Sequence, residues 1–305
     1  MGKKNKTKKT SAIIVSIIII LSITLLIIVF NKNAPKIEIK NKIAVIPIMG
    51  VITSGNGDGS FFSQPTLSSS TIVSFIEAAN NDNNIKGIIL NINSPGGAVV
   101  PSKEVVDSIK KVNKPVVALI RDVGASGAYW IASAADHIVA DPLSITGSIG
   151  VIGSYLEFSD LFGEYGIKYQ SIISGKDKDL GSPYTNLTNE QRVLLEGKLA
   201  KIHKYFIDDV NKNRKKNLTP YATGLFYLGI EAKEIGLIDE LGGKEEAINA
   251  TLKLANITNY ELAVFRKERT IFDLLQRVTS NFGYSIGQGL GSEFKAEDEF
   301  EIKLE

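Results

Sequence analysis

Apolar positions along the chain fall into short unbroken runs, separated by segments where they recur every three or four residues. Residues 43–48, 87–92, 115–120, 137–140 and 149–152 are such runs. Continuous apolar runs, as opposed to alternating ones, suit strands buried on both faces. Between them, Ile72, Phe75, Ile76 and Ala79 keep helical spacing and predict a helix over 68–80. Val105, Val106, Ile109 and Val112 predict another over 101–112. A short helix with Trp130, Ile131 and Ala134, one over 159–166 and a strand over 169–173 follow. Thr188-Asn189-Glu190-Gln191 opens a long helix to about residue 213, with Val193, Leu194, Leu199, Ile202, Phe206 and Val210 turned inward; residues 230–255 form a second helical region. This alternation predicts an α/β domain with a mostly parallel sheet.

The first thirty residues follow a different pattern. Residues 12–30 contain no charge and no proline, interrupted only by Ser16, Ser22 and Thr24. As a helix these 19 residues would span roughly 28 Å, close to a bilayer core. Apolar side chains on every side argue against a buried helix of a soluble core. The length and the sequence Asn31-Lys32-Asn33-Ala34-Pro35 argue against a cleaved signal peptide. Lys3, Lys4, Lys6, Lys8 and Lys9 precede the segment, so the positive-inside rule keeps residues 1–11 in the cytoplasm and everything after residue 31 outside. The expected organisation is a basic N-terminus (1–11), a transmembrane anchor (12–30), a polar linker (31–42), a catalytic domain (43–258) and a C-terminal extension with an acidic tail (259–305). Gly50 to Ser60 reads as a glycine- and serine-rich loop.

Composition narrows the chemistry. The net charge of +2 makes no case for nucleic acid, because much of the basic excess is local to the N-terminus. With no cysteine, thiol nucleophiles and thiolate metal sites are excluded. Only His137 and His203 are available as imidazoles. His137 begins a strand and His203 lies in the long helix, and both read as structural. No second histidine stands near His203 at a spacing that would share a metal, so neither a metal nor a cofactor is expected. Asp122 is near Ser126 in sequence but has no histidine to orient.

Against that background Ser126 stands out, flanked by Gly124, Ala125, Gly127 and Ala128 at the end of an apolar run. Small neighbours let another backbone approach a serine at a strand-to-helix turn, as a nucleophile requires. The Gly-x-Ser-x-Gly elbow is not present, since Ala128 occupies the last position. At the end of the preceding strand, Asn93-Ser94-Pro95-Gly96-Gly97 can turn backbone N–H groups toward one point, as in an oxyanion hole. Consecutive parallel strands deliver both loops to the same sheet edge. A neutral lysine could serve as base, and Lys176 and Lys178, in Ser174-Gly175-Lys176-Asp177-Lys178-Asp179, are the candidates.

These segments, with Thr146-Gly147-Ser148-Ile149-Gly150-Val151, resemble in order and spacing the short-form signal peptide peptidase A family, from about residue 43 to 250. Its members are membrane-anchored Ser-Lys proteases of the Clp-protease/crotonase-like fold, built of repeated β-β-α units. The resemblance implies Ser126 as nucleophile and Lys178, through the pattern Ser-Gly-x-x-Lys-Asp, as general base. It implies Gly97 and Gly127 as oxyanion donors with Gly96 shaping the turn, and Ser148 as the hydroxyl orienting the lysine. Ala128, where the family frequently has glycine, is a departure expected to be harmless in a helix turn. Asp177 and Asp179 would have to point away from the amine. An exposed strand edge near Ala98 and Val99 would receive an extended peptide. The resemblance further implies a homo-oligomeric ring in which the lysine reaches a neighbour's serine. The expected activity is hydrolysis of signal peptides or other hydrophobic peptides at the cell membrane, outside the cytoplasm. The competing readings are an acyl-CoA enzyme of the crotonase type and a tethered scaffold that has lost catalysis.

Overall fold

A computed structural model describes residues 19–25, 41–55 and 66–266. The chain divides into two units, Met1–Lys40 and Asn41–Glu305. In the first, residues 19–25 are α-helical. Among the described residues no helix is long and apolar enough to cross a membrane. The anchor expected over 12–30 lies outside them except for that segment. So do most of the linker, the second half of the Gly50–Ser60 loop, and residues 267–305.

The second unit is built on an eight-stranded sheet in the order β10 (Glu261–Val264), β1 (Lys42–Met49), β4 (Ile85–Ser94), β5 (Val116–Ala125), β6 (His137–Ala140), β9 (Glu240–Leu241). Beyond this path β7 (Ile145–Gly147) pairs with β5 and β8 (Phe226–Leu228) with β7. All ladders are parallel except β7–β8. A separate parallel pair joins β2 (Val51–Thr53) to β3 (Thr66–Ser68). The helices are α1 (Ser69–Asn81), α2 (Val99–Ile109), α3 (Gly127–Ser133), α4 (Ser159–Glu164), α5 (Asn189–Arg214), α6 (Gly229–Ile235) and α7 (Lys244–Ala255). The mixed, mostly parallel α/β architecture read from the alternation is therefore present.

Strand periodicity decides which residue joins which core. Ile88, Leu90 and Ile92 of β4, with Val116, Ala118 and Ile120 of β5, enter a large cluster with α1, α2, α3 and α5. The intervening Ile89, Val117 and Leu119 enter a smaller cluster with Ala247 and Ile248 of α7. Both faces are thus covered, which explains why these strands are continuously apolar. Each fully buried isoleucine or leucine contributes about 1.5–3 kcal/mol relative to exposure.

Three expectations need correction. The strand placed at 149–152 lies at Ile145–Gly147 instead, because Gly147 (φ 76°) and Ser148 (φ 49°) both turn into the left-handed region and end it. No strand forms over 169–173; Ile172 is fully exposed and this stretch has no ladder partner. Val193 and Leu194 of α5 are also exposed, because only its second half packs inward, through Phe206 and Val210. A capping box between Thr188 and Gln191 holds the free end of this helix. Its other end is held by Arg214, which donates to both carboxylate oxygens of Asp239 at 2.8 and 2.6 Å.

Candidate active site

β5 is long enough to take two neighbours in succession, pairing with β6 through residues 117–120 and with β7 through residues 123–125. The chain then turns sharply into α3, and Ser126 sits on that turn with φ 54° and ψ −124°. A side-chain-bearing residue in such a conformation costs of order 1–3 kcal/mol and persists only where its surroundings over-determine it. Here they do. The Ser126 N–H donates to the Gly147 carbonyl at 2.8 Å, and its own carbonyl accepts from Trp130 N–H at 2.9 Å. Gly124, Ala125, Gly127 and Ala128 around it are buried. Ala128 lies in the first turn of α3 with its methyl wholly in the core.

The loop after β4 is pressed against this turn. Gly96 (φ 98°) reverses the chain, and its carbonyl accepts from Ile52 N–H at 2.9 Å, while Ala98 N–H donates to the Ile52 carbonyl at 2.9 Å. Glycine is required at 97, where a Cβ would stand 2.1 Å from the Ile52 carbonyl oxygen. At Gly127 a Cβ would lie 2.3 Å from Ser102 Oγ and 3.5 Å from Gly97 N. The two amide groups are therefore neighbours, and neither N–H has an acceptor among the described residues. Two unused donors beside a strained serine can bind a developing oxyanion.

These groups line a cavity of about 510 Å³ that also includes Ser148. Ser148 Oγ donates to the Gly224 carbonyl at 3.2 Å and its N–H to the Leu225 carbonyl at 2.8 Å. The apolar wall includes Val99, Trp130, Ile202 and Phe206, with Val151 and Ile152 at its edge; Trp130 is stacked on Phe206 at 4.6 Å between ring centres. Trp130 Nε1 donates to Asp209 at 2.8 Å, and Lys110 donates to the other oxygen of that carboxylate at 2.6 Å. Burial pushes the Asp209 carboxyl upward, but these two hydrogen bonds and the lysine charge outweigh it and hold it below its ordinary value. The sequence reading placed Trp130 in a short helix and Phe206 on an inward helix face and did not single out Asp209, so none of the three was assigned to the site; the indole at the fourth position after Ser126 was the available signal, since it faces the same side of α3.

Lys178 is not in this cavity. It sits exposed in an irregular turn, its N–H donating to the Gly175 carbonyl at 3.1 Å. Lys176, the other candidate, donates to Glu190 at 2.9 Å. That hydrogen bond and the carboxylate charge hold its amine above the ordinary value, which favours the protonated form over the neutral one a base requires.

The remaining candidates divide. Val99 lines the cavity, yet no free strand edge runs through Ala98 and Val99. Gly97 bridges to Ile52, Ala98 N–H is used, and Val99 opens α2. Asp122 accepts from Asn93 Nδ2 at 2.8 Å, and His137 pairs with Glu240 at 3.0 Å. His203, by contrast, lies in the cavity wall with Ser126. Among the described residues no group of three or more His, Asp or Glu side chains converges.

A strained serine between two free amides, at the carboxyl edge of a parallel sheet, defines a site of the serine-hydrolase class. The profile of Clp protease matches residues 64–140 and that of peptidase family S49 residues 108–258. A Methanocaldococcus jannaschii protein provisionally named a protease is 34% identical over 242 residues, 77% of this chain and 76% of its own length. Protease 4 of Haemophilus influenzae is 31% identical over 72% of this chain but only 36% of its own length. An Enterococcus faecium protein provisionally named signal peptide peptidase SppA is 29% identical over 76% of this chain and 69% of its own. The chain belongs to peptidase family S49, in its signal peptide peptidase A branch, and is a serine peptidase.

Proposed function

We propose that this peptidase hydrolyses hydrophobic peptides, signal peptides among them, at the outer side of a membrane to which residues 12–30 anchor it. Ser126 is the nucleophile. Gly97 and Gly127 hold the oxyanion, with Gly96 shaping the turn and Ser148 orienting the base. Lys178 is that base, and it comes from a second copy in a homo-oligomeric ring. The name of the Enterococcus faecium relative supports the substrate class, and the uncharged apolar run 12–30 after a lysine cluster supports the membrane setting.

The observation that carries the shared dyad is the separation within one chain. Serine, amides and Ser148 meet in one cavity, whereas Lys178 lies exposed in a stretch, 151–187, in which many large apolar side chains are exposed. Ile152, Leu156 and Ile172 are 89%, 74% and 103% exposed, an apolar surface suited to a partner. Closing such an interface would also strip water from the lysine amine, which favours its neutral form.

The chemistry follows from that placement. Neutral Lys178 Nζ takes the Ser126 hydroxyl proton as Oγ attacks the scissile carbonyl, and the oxyanion settles on the two N–H groups. Collapse expels the peptide amine, which receives the proton from the lysine, leaving an ester on Ser126. Water then attacks, giving its proton to Lys178, and the acid departs as Oγ is reprotonated.

The test is complementation with full-length protein in detergent. Ser126→Ala and Lys178→Ala should each be inactive on a hydrophobic fluorogenic peptide. Random mixed assemblies of the two should regain about a quarter of wild-type activity, because one site in four receives both functional residues. Full activity of Lys178→Ala, or no recovery on mixing, would remove the shared dyad.

A further inference from the structure

The cavity beside Ser126 has apolar walls, small residues and hydroxyls, and one ionisable side chain, His203 on α5. Its Nε2 lies 3.0 Å from the Ile149 carbonyl oxygen. A carbonyl only accepts, so Nε2 carries the proton and the neutral ring presents Nδ1 as an acceptor. Among the described residues nothing donates to Nδ1. A hydrogen-bonding nitrogen of a residue that shares its cavity with Val99, Trp130, Ile202 and Phe206 discriminates between occupants: one that leaves it unpaired forfeits binding, one that pairs it keeps it.

We propose that His203 is a specificity-determining residue that selects peptides carrying a hydroxyl side chain, serine or threonine, at the position entering this cavity. A hydroxyl donates to Nδ1 of the neutral ring and accepts from it if the ring is protonated, so it satisfies either state. The apolar wall accommodates the threonine methyl, and a charged side chain would lose hydration there without a counter-ion among the lining residues. Threonine should therefore exceed its isostere valine, which differs only in the hydroxyl. The inference rests on the reading of this cavity as the substrate site.

The imidazole has two nitrogens with two separate tasks, which makes the test specific. His203→Gln places a donor near the Nε2 position and keeps the hold on Ile149 but loses the δ acceptor. His203→Asn keeps a polar group at the δ position and loses the Ile149 contact. Peptide affinity is measured on full-length Ser126→Ala protein through the fluorescence of Trp130, the single tryptophan. Peptide pairs carry threonine or valine at each of the three positions before the scissile bond. At one position threonine should bind about five- to tenfold more tightly than valine, with the preference kept in His203→Asn and abolished in His203→Gln. No preference at any position, retention in the Gln variant, or loss in the Asn variant overturns the assignment. Because the readout is binding, it stands apart from the catalytic reading, which fails separately if Ser126→Ala still cleaves at the wild-type rate.

Discussion

The backbone turns that flank Ser126 are packed tightly against each other, whereas the glycines around Lys178 stand in open space. A Cβ added at Gly97 or Gly127 would stand 2.1 or 2.3 Å from its neighbour, whereas one at Gly163, Gly166, Gly175 or Gly181 would meet nothing within 4 Å. The first region is closed by β2, α2 and α3 of the same chain and holds a strained serine at no further ordering cost when substrate arrives. The second carries isoleucine, leucine and tyrosine side chains into solvent, with local stacking such as Phe162 on Tyr184 at 5.6 Å. In the proposed mechanism one half of the chemistry is preorganised within the chain, and the other requires a surface to close over it.

The largest effect expected from breaking the closed half is at Ser126, the proposed nucleophile. Ser126→Ala should lower kcat by about 10³-fold or more, with the unfolding midpoint unchanged or raised, since alanine at that turn removes only the hydroxyl. Activity within tenfold of wild type would show that another group attacks. Next is Gly97→Ala. Its Cβ must displace the Ile52 backbone, so one oxyanion donor moves and kcat should fall about 10²-fold while KM changes little. An equal loss in kcat and in thermal stability would instead mean that the loop is only a packing element.

On the open half, Ile172→Asp should leave the monomer folded while weakening assembly, because the side chain touches nothing in its own chain. Sedimentation should shift toward monomer, and activity should fall about tenfold or more at low protein concentration and recover as concentration rises. Unchanged sedimentation would detach this face from the interface.

The two halves also differed in how legible they were. Apolar continuity marked β1, β4, β5 and β6 because both sheet faces are covered, and helical spacing marked α1 and α2. The small residues at 96, 97, 124 and 127 pointed to close backbone approach, and the packing at those positions is close. The pattern misled where its premise, burial within one chain, did not hold. Tyr169, Ile172, Val193 and Leu194 are apolar without a core to enter, so periodicity assigned them to a strand and an inward helix face. His203 read as structural, and its contact with the Ile149 carbonyl, 54 positions away, agrees with that; its place in the cavity wall was not legible, because no local spacing announces a contact so distant in the chain.

A smaller effect is expected at Asp209, which ties the cavity wall to α2. Asp209→Asn loses the charge that receives Lys110 and should destabilise the fold by about 1–3 kcal/mol at neutral pH, read by urea unfolding followed through Trp130. The carboxyl is held below its unfolded value, so its contribution is present above about pH 4 and is lost as pH falls through the folded value. The gap between wild type and variant should therefore narrow in acid. A gap that widened there would mean the carboxyl is held above its unfolded value.

The smallest effect expected is the one that separates the two lysines of the open turn. Lys176 and Lys178 are two residues apart, both exposed, and indistinguishable by composition. Their partners differ, since only Lys176 is tied to Glu190, at 2.9 Å with both side chains mostly in solvent. That pairing raises its amine, and a raised lysine stays charged up to and beyond its ordinary titration range. Lys176 is thus less suited than Lys178 to act as a neutral base. Lys176→Met and Glu190→Gln should both leave kcat/KM and its pH profile within twofold of wild type between pH 6 and 9, as a solvent-exposed pair contributes little. Loss of activity in Lys176→Met with Lys178→Ala intact would move the base by two residues. A pH profile shifted by Glu190→Gln would mean that the ion pair acts on the reacting amine, which an isolated surface pair outside the cavity should not do.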